Sequence, residues 1–285
     1  MSSVGNMNMK TSVCTVKDLE AAALSIRRNV LDMVSRLGRG YLQQGLGAAD
    51  LFTMLFFDEL QIDENDLYWP DRDRFILSTA HNSAVFYATL AERGFLDRGR
   101  LVEYTVDGSA LEINVSERLA PLVEATCGSL GQGLSVGVGI ALAARRRGLS
   151  SRVYVLLGDA EMQEGQVWEA AMSAASHKLD NLCLIVDING MQAEGAMEDI
   201  VQIHPISEKW QAFGWHTISV DGHSYPSLRD AFKRARETSG YPTAIIAKTT
   251  VGKGVPLLEG TRSHNMYVTA EVADRARTFL QEVSS

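Results

Sequence analysis

The sequence predicts an α/β protein: a doubly wound, mostly parallel sheet with helices on both faces. Short apolar runs at 74–78, 152–157, 182–187, 216–220 and 243–249 read as strands. Stretches with helical spacing separate or follow them, at 82–93, 130–147, 166–177, 225–238 and 269–282. Strands apolar on both sides, each followed by a helix, build βαβ units and a parallel sheet covered on both faces. The chain has 285 residues, a length that fits one large α/β domain or two small ones. No repeat, low-complexity tract or linker interrupts the alternation, which favours one.

Taken in order, residues 1–14 read as a flexible tail and 15–285 as the domain. Thr15-Val-Lys-Asp18 fits a capping box, the reciprocal side-chain and backbone pairing that starts a helix. Leu19, Ala22, Ala23, Ile26 and Val30 then form one apolar stripe of a helix running to about Leu37, ended by Gly38-Arg-Gly40. A second helix is expected over 48–60, after Gly45-Leu-Gly47. The stretch Cys127-Gly-Ser-Leu-Gly-Gln-Gly133 precedes a helix with Gly133, Gly137 and Ala141 at every fourth position. Glycines let a backbone approach a ligand, and small residues let a neighbouring helix pack tightly. A plain glycine-rich turn with a buried helix fits equally well. The spacing is not that of a Walker loop, and no strand precedes it as a dinucleotide fingerprint needs.

Bulk composition narrows the function. With 46% hydrophobic and 22% charged residues the chain is ordinary globular material. Its 27 Lys and Arg against 35 Asp and Glu give a net charge of −8, which excludes non-specific nucleic-acid binding. Cys14, Cys127 and Cys183 share no metal-type spacing, and their odd number argues against a disulfide framework. A reducing cytoplasmic location is expected, with Cys183 a strand-core residue. No signal peptide and no membrane-spanning run are evident.

The chemistry concentrates at two strand ends. Val153-Tyr-Val-Leu-Leu-Gly158-Asp159-Ala160-Glu161 and, some thirty residues on, Leu182-Cys-Leu-Ile-Val-Asp187-Ile-Asn189-Gly190 each place an oxygen-bearing side chain just past an apolar strand. Ligands of α/β proteins bind at that edge of the sheet. Carboxylate and amide oxygens with room for waters suit Mg²⁺ or another hard cation. A helix starting near Glu161 would also aim its amides at an anion. Separately, Asp159 fits a helix cap and Asn189-Gly190 a plain turn. Their coincidence at this separation favours a metal–diphosphate site.

These residues carry a resemblance. Gly158-Asp159 followed by Asn189 resembles the thiamine-diphosphate motif. The wording Gly-Asp-Ala-Glu-Met-Gln-Glu-Gly, then Leu-Asp-Asn-Leu and Ile-Asn-Gly, resembles the transketolase family. In family order, Arg72–His81 is similar to its first histidine segment and Gly128-Ser-Leu-Gly-Gln-Gly133 to its cofactor loop. Ala244–Gly254 with Ser263-His264 is similar to its closing segment. The resemblance covers residues 15–280 and implies a thiamine-diphosphate-binding fold.

It further implies that Asp159, the Asn189 side chain and the Met191 carbonyl hold Mg²⁺, with Ca²⁺ or Mn²⁺ as substitutes. Gly158, Ala160 and Glu161 would meet the diphosphate end of the cofactor, and Gly128, Ser129 and Leu130 its pyrimidine–thiazolium elbow. His81 and His264 would face the diphosphate and the reaction centre. Glu164 matches a family glutamate that crosses to the neighbouring subunit. His177, His204, His216 and His223 match no catalytic position and are read as structural or surface residues. Three positions depart from the family. Tyr41 and Asn114 stand where histidines handle sugar hydroxyls, and Val251 where many relatives carry a lysine near the phosphates.

The family protein is longer, so a separately encoded pyrimidine-domain subunit is expected as partner, in an α2β2 assembly. The glycine-rich helix would contribute to the contacts. The implied reaction moves a two-carbon ketol unit from a ketose or 2-oxo donor to an aldehyde-type acceptor. Two alternatives stay open: a 2-oxo-acid-decarboxylating, acyloin-forming enzyme subunit, and a non-catalytic binding subunit.

Overall fold

The computed structural model describes residues 14–262 and 264–282, so the expected tail lies outside the described residues except for Cys14, as does Ser263. In chain order the elements are α1 (Val16–Leu37), β1 (Arg39–Gly40), α2 (Leu42–Thr53), β2 (Arg74–Leu77), α3 (Ser83–Glu92), α4 (Gln132–Arg146) and β3 (Val153–Gly158). There follow α5 (Gly165–Ser176), β4 (Leu182–Ile188), α6 (Met197–Ile200), α7 (Ile206–Ala212), β5 (His216–Asp221), α8 (Tyr225–Glu237), β6 (Thr243–Lys248), β7 (Met266–Tyr267) and α9 (Ala270–Glu282). The five long strands form one parallel sheet in the order β2-β3-β4-β6-β5.

Alternation along each strand divides the core in two. Tyr154 and Leu156 of β3 join a cluster with α1, α2, α3 and α8, while Val153, Val155 and Leu157 join one with α4, α5 and α7. The central strands are thereby buried on both sides, which is why their runs read as continuously apolar. The expected α/β class is observed. Sequence places the five strands to within a residue at most ends, because nothing competes with such runs except buried helix.

Helix α1 begins as expected. The Thr15 hydroxyl accepts from the Asp18 amide at 3.2 Å, the Asp18 carboxylate accepts from the Thr15 amide at 2.9 Å, and left-handed Gly38 ends the helix. Helix α2 does not. It opens at Leu42 and continues into a π-helical turn over Met54–Glu59, so Gly45 and Gly47 lie inside it. Those glycines serve contact and are not breakers. A Cβ on Gly45 would lie 2.9 Å from Val30 Cγ1, and one on Gly47 would lie 2.7 Å from the Thr250 carbonyl oxygen. The small residues of α4 behave similarly. A Cβ on Gly133 would meet Ser78 and one on Gly137 would meet Val155 Cγ2, both at 2.5 Å, so this face packs on the sheet and not on a neighbouring helix. No helix among the described residues is long and apolar enough to cross a membrane.

Candidate functional site

The C-terminal ends of β3, β4 and β6 lie side by side, with Gly158 paired to Asp187 and Ile188 to Lys248. The chain leaves β4, crosses to the sheet edge at β5 and returns to fill β6. Three loops from three strand ends thus meet at one place. Asp159 is buried there: its Oδ1 accepts from the Ala160 amide at 2.8 Å and its Oδ2 from the Gly190 amide at 2.6 Å. The turn after β4 is therefore seated directly on the carboxylate that ends β3. Gly190 makes the turn at φ 74°, a backbone conformation that glycine adopts freely. Asn189 closes it, its Oδ1 accepting from the Met191 amide at 3.0 Å. Behind it the buried Asp187 carboxylate accepts from the Thr249 hydroxyl and, at 3.4 Å, from Asn189 Nδ2.

Glu161 organises the other wall. Its buried carboxylate accepts from the Ser78 hydroxyl, from the Gly131 amide at 2.7 Å and from the Gly158 amide at 3.1 Å. Ser78 Oγ in turn accepts from the Gly133 amide at 3.2 Å. One side chain thus ties the end of β2, the glycine loop and the end of β3 together. The helix expected near Glu161 is a single 3-10 turn, Ala160–Gln163, and α5 begins only at Gly165. Its short length makes the dipole argument weak here, and the Ala160 amide already bonds Asp159. Glu164 sits exposed at the start of α5, its Cβ close to where a side chain on Gly131 would fall. Gly128, Ser129 and Leu130 are exposed, and a Cβ on Gly128 would meet nothing.

Beyond this edge three rings gather. Tyr41 lies 4.8 Å from His81 and 5.0 Å from His264 between ring centroids, and the two histidines are 5.9 Å apart. The three rings, with Tyr41 at the foot of α2, therefore form a triangle of mutual contacts. Burial drives the His81 pKa down to about 4, helped by His264, and burial also lowers that of His264. Both rings are neutral at pH 7 and serve as hydrogen-bond partners. Burial raises the Tyr41 pKa against the pull of Arg39, so its phenol keeps its proton. Asn114 is exposed on the segment beside His81, where the Val115 amide bonds the Ala80 carbonyl at 3.3 Å and Ser83 Oγ the Ile113 carbonyl at 2.7 Å. Val251 is buried, its side chain turned into the protein. Met191, Gly158 and Ala160 are half-buried along the rim of the strand-end site.

The donor chemistry fits a divalent cation and its diphosphate. Burial, then repulsion from Asp187, pushes the Asp159 pKa to about 7 against three backbone hydrogen bonds. A cation against this carboxylate relieves that cost, because a nearby positive charge favours the ionised form. An amide oxygen keeps a second lone pair after accepting one bond, so Asn189 Oδ1 retains capacity for a metal. No group of three or more His, Cys, Asp or Glu suited to metal occurs among the described residues. The expected set is of another kind, with one carboxylate, one amide oxygen and one main-chain oxygen.

Sequence reasoning misses the part played by His223. Read as structural or surface, it links Asp50 to Thr250 at this edge of the sheet. A histidine after a strand and a glycine is the only local signal. Its partners stand 173 and 27 positions away.

Comparison with known proteins agrees with this fold. The family profile described as "Transketolase, thiamine diphosphate binding domain" matches residues 19–280. The 6-deoxy-6-sulfo-D-fructose transketolase subunit of a Clostridium species is 38% identical over 256 residues, covering 90% of this chain and 93% of that protein. An apulose-4-phosphate transketolase subunit from Actinobacillus succinogenes is 38% identical over 245 residues, covering 85% and 88% respectively. The crystal structure of Campylobacter jejuni transketolase superposes with a TM-score of 0.87 at 30% identity, over 94% of this chain. The chain spans 43% of that longer protein. With the profile covering nearly the whole domain, the chain belongs to the transketolase family, and the part of that family it carries is the thiamine diphosphate binding domain.

Proposed function

We propose that the chain is the diphosphate-binding subunit of a split, transketolase-like transferase. Acting with a separate pyrimidine-domain subunit, it moves a two-carbon ketol unit from a ketose or 2-oxo donor to an aldehyde-type acceptor. The observation that carries this is the seating of the Asn189–Met191 turn on Asp159, 2.6 Å from the Gly190 amide to the carboxylate. Asp159, the Asn189 amide oxygen and the Met191 carbonyl would hold Mg²⁺, which neutralises the diphosphate of bound thiamine diphosphate. When bound, that cofactor supplies the nucleophilic carbon and the electron sink, and the protein supplies orientation and electrostatics. The Ala160 backbone would lie against the diphosphate. Ala160 belongs to a 3-10 turn and is absent from the described non-glycine residues with positive φ, so a methyl at this position brings no backbone strain.

His81 and His264, neutral and in ring contact with each other and with Tyr41, would bind substrate oxygens and move protons. General acid–base help of this kind contributes roughly 10²–10⁴-fold. Glu164, exposed at the start of α5, would reach the partner's side of the site.

Support for a partner comes from the two relatives named as subunits, of which the chain covers 93% and 88%. The docking face would be the outward side of α4 and α5, where Met172 is exposed and Val136 and Ile140 are half-buried. We infer an α2β2 assembly in the cytoplasm, where Cys14, Cys127 and Cys183 remain free thiols. Tyr41 and Asn114 favour a second reading, decarboxylation of a 2-oxo acid with acyloin formation, because both sugar-handling histidines are replaced around His81.

The deciding experiment assembles the chain with the pyrimidine-domain product of a neighbouring reading frame. Calorimetry should show Mg²⁺-dependent uptake of thiamine diphosphate, lost in Asp159→Ala. Product analysis with a ketose phosphate against pyruvate separates the two chemistries. Absence of uptake by the assembled complex overturns the proposal, and full ketol transfer by this chain alone overturns the split.

A further inference from the structure

The buried Asp50 carboxylate gathers three donors, from α1, from the loop after β5 and from α8. Arg27 of α1 reaches its Oδ2 at 2.6 Å, His223 Nδ1 the same oxygen at 2.7 Å, and the Tyr225 hydroxyl of α8 its Oδ1 at 2.8 Å. Burial alone would raise this carboxyl's pKa, yet His223 and Arg27 hold it at about 2. Asp50 is therefore a fixed anion in the interior.

His223 carries that fixed point outward. Its Nε2 lies 2.9 Å from the Thr250 amide nitrogen. A backbone amide can only donate, so Nε2 must be the lone-pair nitrogen and Nδ1 must bear the proton given to Asp50. Both ring nitrogens are used and the tautomer is set by the two partners. Thr250 directly follows Thr249, whose hydroxyl donates to Asp187 and whose amide bonds the Ile188 carbonyl at 2.9 Å. Asp187 in turn holds Asn189. The same segment is gripped on its other sides. Gly47 lies against the Thr250 carbonyl, Gly222 leaves room for Thr249 Cγ2, and the Gly252 amide bonds the Gln43 carbonyl at 2.8 Å.

We propose that His223 is a positioning residue for the diphosphate turn, holding the Thr249–Val251 segment so that Thr249 and Asp187 fix the Asn189–Met191 turn. It rests on the reading of that turn as the metal–diphosphate site and adds a residue far from it in sequence. Both ring nitrogens of His223 are engaged by Asp50 and Thr250. The residue acts through the Thr250 amide, as outer-shell partners act by orienting the groups that bind.

The test compares His223→Gln, whose amide oxygen accepts from Thr250, with His223→Leu, which fills the space without an acceptor. Three readouts are taken: ring ¹⁵N shifts of His223 in the full chain, hydrogen exchange of the 249–251 amides, and thiamine diphosphate affinity of the complex with its partner and Mg²⁺. The expected result is an Nδ1-protonated ring, and faster exchange with affinity weakened about tenfold in the Leu variant. The Gln variant should stay within about threefold of wild type, since the accepting oxygen and not the ring's bulk matters. A packing role would rank the two variants the other way. An Nε2-protonated ring, or equal affinity and exchange in both variants, overturns the proposal. A wild-type complex that takes up no cofactor overturns the functional reading instead, while the tautomer and exchange results still decide whether His223 holds the segment.

Discussion

Single side chains set most of what this site can do. His81 titrates near 6.5 in an unfolded chain and at about 4 here. Between those values the unfolded chain binds more protons, so the contribution of His81 is complete above about pH 6.5 and is lost as pH falls toward 4. His81→Phe should remove part of the acid sensitivity of the purified chain, a difference on the order of 2 kcal/mol between pH 7 and pH 4 in urea titrations. Equal pH slopes for the two proteins would contradict the buried, neutral ring. Thr249→Val tests the hydroxyl that donates to Asp187. Leaving that buried carboxylate one donor short costs about 1–3 kcal/mol. Chemical denaturation should show the loss, with weaker Mg²⁺-dependent cofactor uptake in the assembled complex. The Asp159 and Asn189 pair is legible in the sequence because each follows an unmistakable strand. The gathering of Tyr41 with two histidines is not, since His81 and His264 meet only in the folded chain.

At the level of elements, legibility follows length. Strands such as β4 and β6 stand out because nearly every residue in them is apolar or small. The two-residue strands β1 and β7 and the short helices α6 and α7 carry too few residues for any period to show. The start of α2 escapes a sequence reading because glycine reads as a breaker, whereas Gly45 and Gly47 serve close contacts inside a helix. Helix α4 offers a paired test of this distinction. Gly137→Ala drives a methyl into Val155 and should cost about 1–3 kcal/mol in thermal or chemical unfolding. Gly139→Ala meets open space and should stabilise the isolated chain by about 0.5–1 kcal/mol. Opposite signs on one helix are the expected outcome, and matching signs would mean that the face assignment is wrong.

For the whole molecule, the two hydrophobic clusters account for the fold, one on each face of the sheet, and the proposed docking face on α4 and α5 is tested separately. Met172 is 54% exposed, so Met172→Glu should leave the melting temperature of the chain nearly unchanged. Mixed with the pyrimidine-domain subunit, the same variant should raise the dissociation constant at least about tenfold, read by sedimentation or light scattering. Undiminished association would move the docking face elsewhere.

The glycine loop at Gly128–Leu130 is exposed, and a Cβ added at Gly128 would meet nothing among the described residues. Under the proposed function, a vitamin lying against that loop would leave part of its surface wet until a second polypeptide covered it. Ligand and companion chain then become each other's effectors: whatever factor the small molecule lends to dimer formation, the second polypeptide must return to its retention. Diluting the complex should shed both together, and supplying either in excess should retain the other.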